Sequence, residues 1–271
     1  MPTILITGAA GRIGTMLRSR LATPGRTLRL VDVSPLTAGP GEQAVQASVT
    51  DMAAMTTACQ DVDAVVHLGG ISTEASWDQI ADVNIHGTYT VLEAARRAGV
   101  PRVIFASSNH AVGFVPRPAF PVPDYAFPAP DTYYGVAKVA GEALASLYHH
   151  RYGLHTICIR ILTCFEKPPT ARALSTWLSP DDAGRLFEAC LTTPSPGFRV
   201  VFGVSANTRG GWVSLAEAAA LGYTPRDDAE RYAAEVTAEH GEPDPGSPVL
   251  RYLGGEFTLA DLDAEIPASS D

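Results

Sequence analysis

An α/β protein with a doubly wound parallel sheet is the fold that this chain predicts, and three observations carry the prediction. Apolar runs of strand length alternate with helical segments over about the first 160 residues. The first apolar run ends in a glycine cluster, Thr7-Gly8-Ala9-Ala10-Gly11-Arg12-Ile13-Gly14, which opens a helix. Residues with chemical function recur at the carboxyl ends of the strands, where sheets of this kind bind ligands.

Strands are expected near 3–7, 27–31, 44–48, 64–69, 102–107 and 155–161, each a short apolar run. Helices are expected near 12–22, 51–59, 78–98, 132–152 and 180–193, with a further stretch near 227–240. The first strand, around Ile4-Leu5-Ile6, runs into Gly8; the second, Leu28 to Val31, ends at Asp32. The fourth ends at Gly69-Gly70 and the fifth at Ser107-Ser108. Beyond about residue 162 the alternation weakens, and Pro168-Pro169, Pro194, Pro196 and Gly210-Gly211 break the chain into short pieces. Residues 1–161 are therefore expected to form the sheet domain carrying the reactive residues. Residues 162–271 would form a small loop-rich cap, packed with the first as one compact unit.

The composition is that of a globular protein: 271 residues, 46% hydrophobic and 18% charged, with a formal net charge of −9. That balance argues against nucleic acid as a partner. No apolar run approaches membrane-spanning length, and the N-terminus enters the first strand with no secretory signal. Cys59, Cys158, Cys164 and Cys190 are widely spaced, as expected of reduced thiols in a cytoplasmic protein. Neither they nor the pair His149-His150 suggest a metal site.

The chemistry is concentrated in two places. Strand, glycine turn and helix form the context of a dinucleotide-binding fingerprint, here spaced Gly-x-x-Gly-x-x-Gly. Gly8 permits the tight turn, Gly11 lets the backbone approach a pyrophosphate, and Gly14 lets the helix pack on its strand. Asp32 can accept hydrogen bonds from ribose hydroxyls and would repel a 2′-phosphate; no arginine stands beside it in Val31-Asp32-Val33-Ser34, which favours NAD over NADP. The second place is Tyr134 and Lys138, four apart on one helix face, where an ammonium would favour ionisation of a phenol. Each feature has a plainer alternative: a tight turn without a ligand, an acid starting a turn before Pro35, a solvated tyrosine–lysine pair.

As a set, Thr7-Gly-x-x-Gly-x-x-Gly14, Asp32, His67-Leu68-Gly69-Gly70, Asn84, Ser107-Ser108 and Tyr134-x-x-x-Lys138 resemble the extended short-chain dehydrogenases/reductases. The resemblance implies a Rossmann-type sheet, NAD as cofactor, Tyr134 as acid/base, Lys138 holding the nicotinamide ribose, and Ser108 bonding the reacting oxygen. It implies cofactor contacts from Gly8, Gly11, Arg12, Ile13, Gly14, Asp32, Ser34, Ser48, Val49, Leu68, Gly69, Gly70, Ser72, Asn84 and Ile161, besides Tyr134 and Lys138. A narrower resemblance covers nearly the whole chain. His67-Leu68-Gly69-Gly70-Ile71-Ser72, Phe105-Ala106-Ser107-Ser108-Asn109-His110, Leu174-Ser175-Thr176-Trp177, Arg160-Ile161 with Arg172, and Gly203-Val204-Ser205-Ala206-Asn207 look like the uronate dehydrogenases. That group oxidises C1 of glucuronate or galacturonate with NAD to an aldarolactone. Ser72, Ser108, Asn109, His110, Tyr134, Thr163 and Arg172 would then meet the sugar acid, Arg172 clamping its carboxylate. The resemblance also implies a homo-oligomer, dimer or hexamer, with the helices near 78–98 and 132–152 forming a dimer contact.

Competing assignments stand beside these. Arg172 could be a solvated loop arginine, His110 a structural histidine, Asn109 the cap of a turn, Ser107 a cofactor or backbone contact, and Trp177 part of the cap packing. A nucleotide-sugar epimerase or dehydratase would share the tyrosine–lysine core but needs a larger C-terminal region. A non-catalytic NAD sensor would be expected to have lost Tyr134 or Lys138. Three positions depart from the family pattern: Thr163 in place of serine, Ser48 in place of aspartate near the adenine, and the proline-rich stretch from Pro116 to Pro130.

Overall fold

The computed structural model describes residues 2–241 and 244–262; the part of the expected cap at 242–243 and 263–271 lies outside them. Seven strands form one parallel sheet: β1 (Thr3–Thr7), β2 (Thr27–Asp32), β3 (Glu42–Gln46), β4 (Ala64–His67), β5 (Arg102–Ser108), β6 (His155–Ile161) and, after two short strands, β9 (Phe198–Gly203). Their order is β3-β2-β1-β4-β5-β6-β9, so the direction of winding reverses between β1 and β4. A ligand crevice is expected at that switch.

Helices α1 (Arg12–Leu21), α7 (Pro180–Thr192) and α8 (Ala216–Ala220) cover one face of the sheet; Leu17, Leu21, Leu186 and Phe187 pack there on Ile4, Ile6, Ile104 and Ile159. The other face carries α2 (Met52–Ala58), α4 (Gly87–Ala98) and α5 (Tyr133–Tyr152), with Met55, Leu92 and Tyr148 over Leu5, Val65 and Val103. Central strands buried on both faces explain why they read as continuous apolar runs.

Three differences from the expected elements have physical causes. β3 runs Glu42–Gln46, not 44–48, because its register is set by β2, from Leu28↔Glu42 to Asp32↔Gln46. Ser48 already belongs to a turn, its carbonyl accepting from Asp51 N. The helix expected at 78–98 is three pieces: α3 (Trp77–Gln79), a π-helical segment Ile80–His86, and α4. Gly87 lies at the end of the wide turn, where a Cβ would stand 2.8 Å from Val49 Cγ2. The seventh strand was not anticipated. Phe198–Gly203 is short and flanked by Pro194, Pro196 and Gly197, yet it pairs with β6 over six residues, so the stretch after residue 161 completes the sheet as well as covering it.

The remainder of that stretch contains β7 (Thr163–Cys164), α6 (Ala173–Thr176), β8 (Trp177–Leu178) and α9 (Ala233–His240). A separate apolar cluster, Val112, Val122, Phe202, Trp212, Val213, Leu250 and Leu253, joins this part to the proline-rich loop. Bridges Pro116↔Tyr252 and Val122↔Val213 stitch that loop down at its start and its middle.

Candidate active site

The β1–α1 junction is a cradle made of backbone. Gly8 has φ +67°, and a Cβ there would meet Gly69 N at 2.7 Å; a Cβ on Gly14 would fall on the Gly8 carbonyl. Only glycine lets turn, helix and neighbouring loop approach this closely. No side chain caps α1, and its first turn has no acidic residue, whereas Asp51, Thr132 and Ser179 cap α2, α5 and α7. The amides around Arg12, Ile13 and Gly14 thus face the crevice with the helix dipole behind them, the arrangement that suits a pyrophosphate. Asp32 closes the adjoining corner: Oδ2 accepts from Ala10 N at 2.9 Å and Oδ1 from Ser34 N at 2.9 Å. The Arg12 guanidinium lies 4.0 Å from the centre of the Phe165 ring.

A buried histidine holds the facing loop. Gly69 N donates to Thr7 Oγ1 (3.1 Å), which lies 2.7 Å from His67 Nδ1; His67 Nε2 is 3.2 Å from Thr88 Oγ1, itself a donor to Asn84 O. Since the Thr88 proton goes to Asn84, Thr88 accepts from His67 Nε2–H, and Nδ1 accepts from Thr7. Burial pushes the His67 pKa down to about 3, with the charge of Lys138 adding to the effect. Asn84 is engaged with Ile71 through both amide atoms, 2.7 Å to its N–H and 2.9 Å to its carbonyl, so it shapes the Gly70–Ser72 loop. Val49 wedges against Gly69, Leu68 packs on the core, and Ser48 bonds Thr50; Ser34 and Ser72 are exposed.

The second half of the site converges on the start of α5. Glu74, buried on the loop after β4, accepts from Tyr133 N at 3.1 Å and Tyr134 N at 2.8 Å, while the Thr132 hydroxyl accepts from Gly135 N. This double cap fixes the first turn. The Tyr134 phenol is buried beside Ser108. Lys138 donates to Ala106 O at 2.8 Å and sits 5.1 Å from the Tyr134 ring centre. In place of the expected easing of phenol ionisation, burial pushes Tyr134 up to about 12, with Ser108 lowering it and Asp131 raising it further. Burial likewise pulls Lys138 down to about 8, against the charge of Glu142. Ser107 turns away from the crevice, donating to Glu142 at 2.6 Å, and Glu142 pairs with Arg160 at 2.8 Å. Tyr133 packs edge-on against Trp77.

Four separated segments enclose the space beside Tyr134. Asn109 donates to Leu253 O at 3.1 Å, and an Arg172 Nη donates to the same carbonyl. His110 stacks on Phe257 at 3.9 Å and meets Tyr134 edge-on at 5.7 Å; its Nδ1 lies 2.7 Å from Asp131 Oδ2. Arg172 is not a solvated loop residue: it lies 5.3 Å from the Trp212 ring centre, and its buried Nε has no partner among the described residues. Burial lowers its pKa, opposed by the charges of Glu256 and Asp131. The Thr163 hydroxyl is 2.9 Å from that of Thr176, and Ile161, at the end of β6, pairs with Ser108. Trp177 is fully buried in the cap. Sequence reasoning missed Glu74, Asp131, Glu142 and Phe257. Asp131 directly before a Thr cap, and Glu142 four residues after Lys138, were readable signals; Phe257 had none.

The NAD dependent epimerase/dehydratase family matches residues 4–170, and the chain belongs to that family. Uronate dehydrogenase of Pseudomonas putida is 44% identical over 259 residues, covering 95% of this chain and 96% of that protein. Among solved structures, glucuronic acid dehydrogenase from Chromohalobacter salexigens superposes with a TM-score of 0.92 at 41% identity, over 97% of this chain and 99% of that one. A mutant uronate dehydrogenase from Agrobacterium tumefaciens, complexed with NAD, gives 0.91 at 41% identity, over 97% and 98%. Within the family, the chain belongs to the uronate dehydrogenases.

Proposed function

We propose that this protein is an NAD-dependent uronate dehydrogenase, oxidising the C1 hemiacetal of a hexuronate such as D-glucuronate or D-galacturonate to the aldarolactone. The observation that carries the reading is Arg172, a guanidinium with an orphaned, sealed Nε, tied through Leu253 to Asn109 and through the strap 253–257 to the space beside Tyr134. A half-buried cation with one unmet donor, in a protein of net charge −9, suits an anionic substrate that the global field would not attract.

The cradle residues Gly8, Gly11, Arg12, Ile13 and Gly14, with Asp32 at the ribose corner, fit NAD, and the Gly69–Ser72 loop would flank it. When bound, NAD supplies the hydride acceptor and a cationic ring. Tyr134 Oη, as the phenolate, takes the proton of the C1 hydroxyl as the hydride leaves C1, and the carbon becomes the lactone carbonyl. Ser108 orients that hydroxyl. Lys138, with its pKa near 8, remains protonated at neutral pH and offsets part of the burial penalty on the phenolate. His110, Asn109, Ser72 and Thr163 offer hydrogen bonds to the sugar. NADH formation with glucuronate, galacturonate, glucose and a nucleotide sugar tests the assignment; turnover of glucose or the nucleotide sugar without uronate activity refutes it.

The described residues from 162 onward act as the substrate cap while lending β9 to the sheet. A homo-oligomer formed through α4 and α5 is supported by exposed Tyr89 (38%), Leu147 (54%) and Tyr152 (53%) on those helices. Leu147→Asp should reduce the mass measured by sedimentation. Four free, buried cysteines suit a reducing, cytoplasmic setting.

A further inference from the structure

Asp131 is a fully enclosed carboxylate of the site with no part in the proton or hydride transfer. Its side chain is 0% exposed. A Cβ on Gly113 or on Gly254 would collide with its Oδ2, so two glycines from distant segments make room for it. Thr132 Oγ1 donates to Oδ1 at 3.1 Å, and Oδ2 lies 2.7 Å from His110 Nδ1. A carboxylate only accepts, so Nδ1 must carry the proton of that hydrogen bond. In neutral imidazole the other nitrogen is then an acceptor. His110 Nε2 has no hydrogen bond within the described residues and is not sealed from solvent. The ring cannot swing away from this role, because Phe257 stacks on one side and Tyr134 meets it edge-on.

We propose that Asp131 is a positioning residue that locks His110 in the Nδ1–H tautomer, so that Nε2 meets the substrate as a hydrogen-bond acceptor and selects a sugar hydroxyl there. The role rests on the uronate-oxidising function proposed above. It extends the site to a group that touches no substrate. Gly254, on the strap that also carries Phe257, closes over the carboxylate, with Gly254 N donating to Gly113 O at 2.8 Å. The polarity of the pocket at this point is therefore set by the fold and not by the imidazole itself.

Nitrogen NMR of the full-length, histidine-labelled protein reads the tautomer directly. The expected result is a protonated Nδ1 and a bare Nε2 on His110; the reverse assignment overturns the proposal. Asp131→Ala should lower kcat/KM for uronate roughly tenfold or more, mainly through KM. Asp131→Asn, which keeps an acceptor, should restore part of the loss, with NAD affinity held within about twofold in both. In a His110→Ala background the Asp131→Ala change should add nothing further. An equal loss in both backgrounds would mean that Asp131 acts on the fold alone. Should Asp131→Ala fail to fold, the wild-type tautomer still decides. A protein without uronate turnover but with the expected tautomer would refute the activity and leave the dyad intact.

Discussion

The two halves of the site are built in opposite ways. The cradle for the nucleotide is a single stretch, Thr7 to Gly14, completed by Asp32 one strand away, and its contacts are chiefly backbone. The proposed sugar side is assembled from Ser108–His110, Asp131–Tyr134, Arg172 and the Leu253–Phe257 strap, joined by side chains reaching across as many as 144 positions of sequence. A local device tolerates change elsewhere in the chain. An assembled one makes each contributor answer to the others: the Leu253 carbonyl is shared by Asn109 and Arg172, and Phe257 covers both His110 and Tyr134.

The largest expected effect falls where the halves meet. Tyr134→Phe removes the proposed proton acceptor while leaving cradle and strap in place, so kcat should drop on the order of 10³-fold with NAD affinity, read by fluorescence, unchanged. Near wild-type turnover would remove Tyr134 from the chemistry. Arg172→Ala should act on the assembled half alone. Loss of a charge-assisted clamp in a desolvated site should cost about 10²-fold in kcat/KM for uronate, again without changing NAD affinity. A parallel fall in cofactor affinity would mean that the two halves are not separable at this residue.

Gly14→Ala probes the other half. The new methyl would fall on the Gly8 carbonyl and stand 2.7 Å from Ala9 Cα, and backbone cannot move aside as a flexible side chain would. Destabilisation of about 1–3 kcal/mol in urea titrations is expected, with weaker NAD binding. An unchanged protein would show that the cradle has slack that its geometry denies.

The contrast also explains what was legible in the sequence. Six of the seven sheet strands and the position of every glycine in the cradle could be read, because strand, turn and helix there are specified by neighbours in sequence. Tyr134 and Lys138 were readable for the same reason, sharing one helix face. β9 was hidden because six residues between prolines and glycines, interrupted by Arg199, carry no periodic signal of their own; β6 supplies the partner. Arg172 reads as a solvated loop residue because Trp212 and Leu253, which bury it, are 40 and 81 positions away. His67 reads as part of a motif beside the crevice, but its ring is locked between Thr7 and Thr88 and reaches no ligand. Sequence periodicity locates elements; which polar groups face each other across elements is decided by packing that no single segment encodes.

His67 also limits how local the cradle is. Gly69 forms the wall against which Gly8 packs, and Gly69 is held through Thr7 by a histidine that must stay neutral, since the residue is 1% exposed and its two ring nitrogens already serve one donor and one acceptor. Its folded pKa, pushed down to about 3, lies below the ordinary value of 6.5. The unfolded chain therefore binds the proton first as pH falls, and stability is lost progressively from about pH 6.5 downward. His155, also lowered by burial, acts in the same direction, and most carboxylates stay ionised above pH 5. Between pH 7 and pH 5 the urea midpoint of the wild type should fall. His67→Gln, less stable at pH 7, should flatten that slope by roughly 1 kcal/mol per pH unit. Identical slopes in the two proteins would show that the histidine accepts its proton in the folded state, and that the wall of the cradle does not depend on a neutral ring.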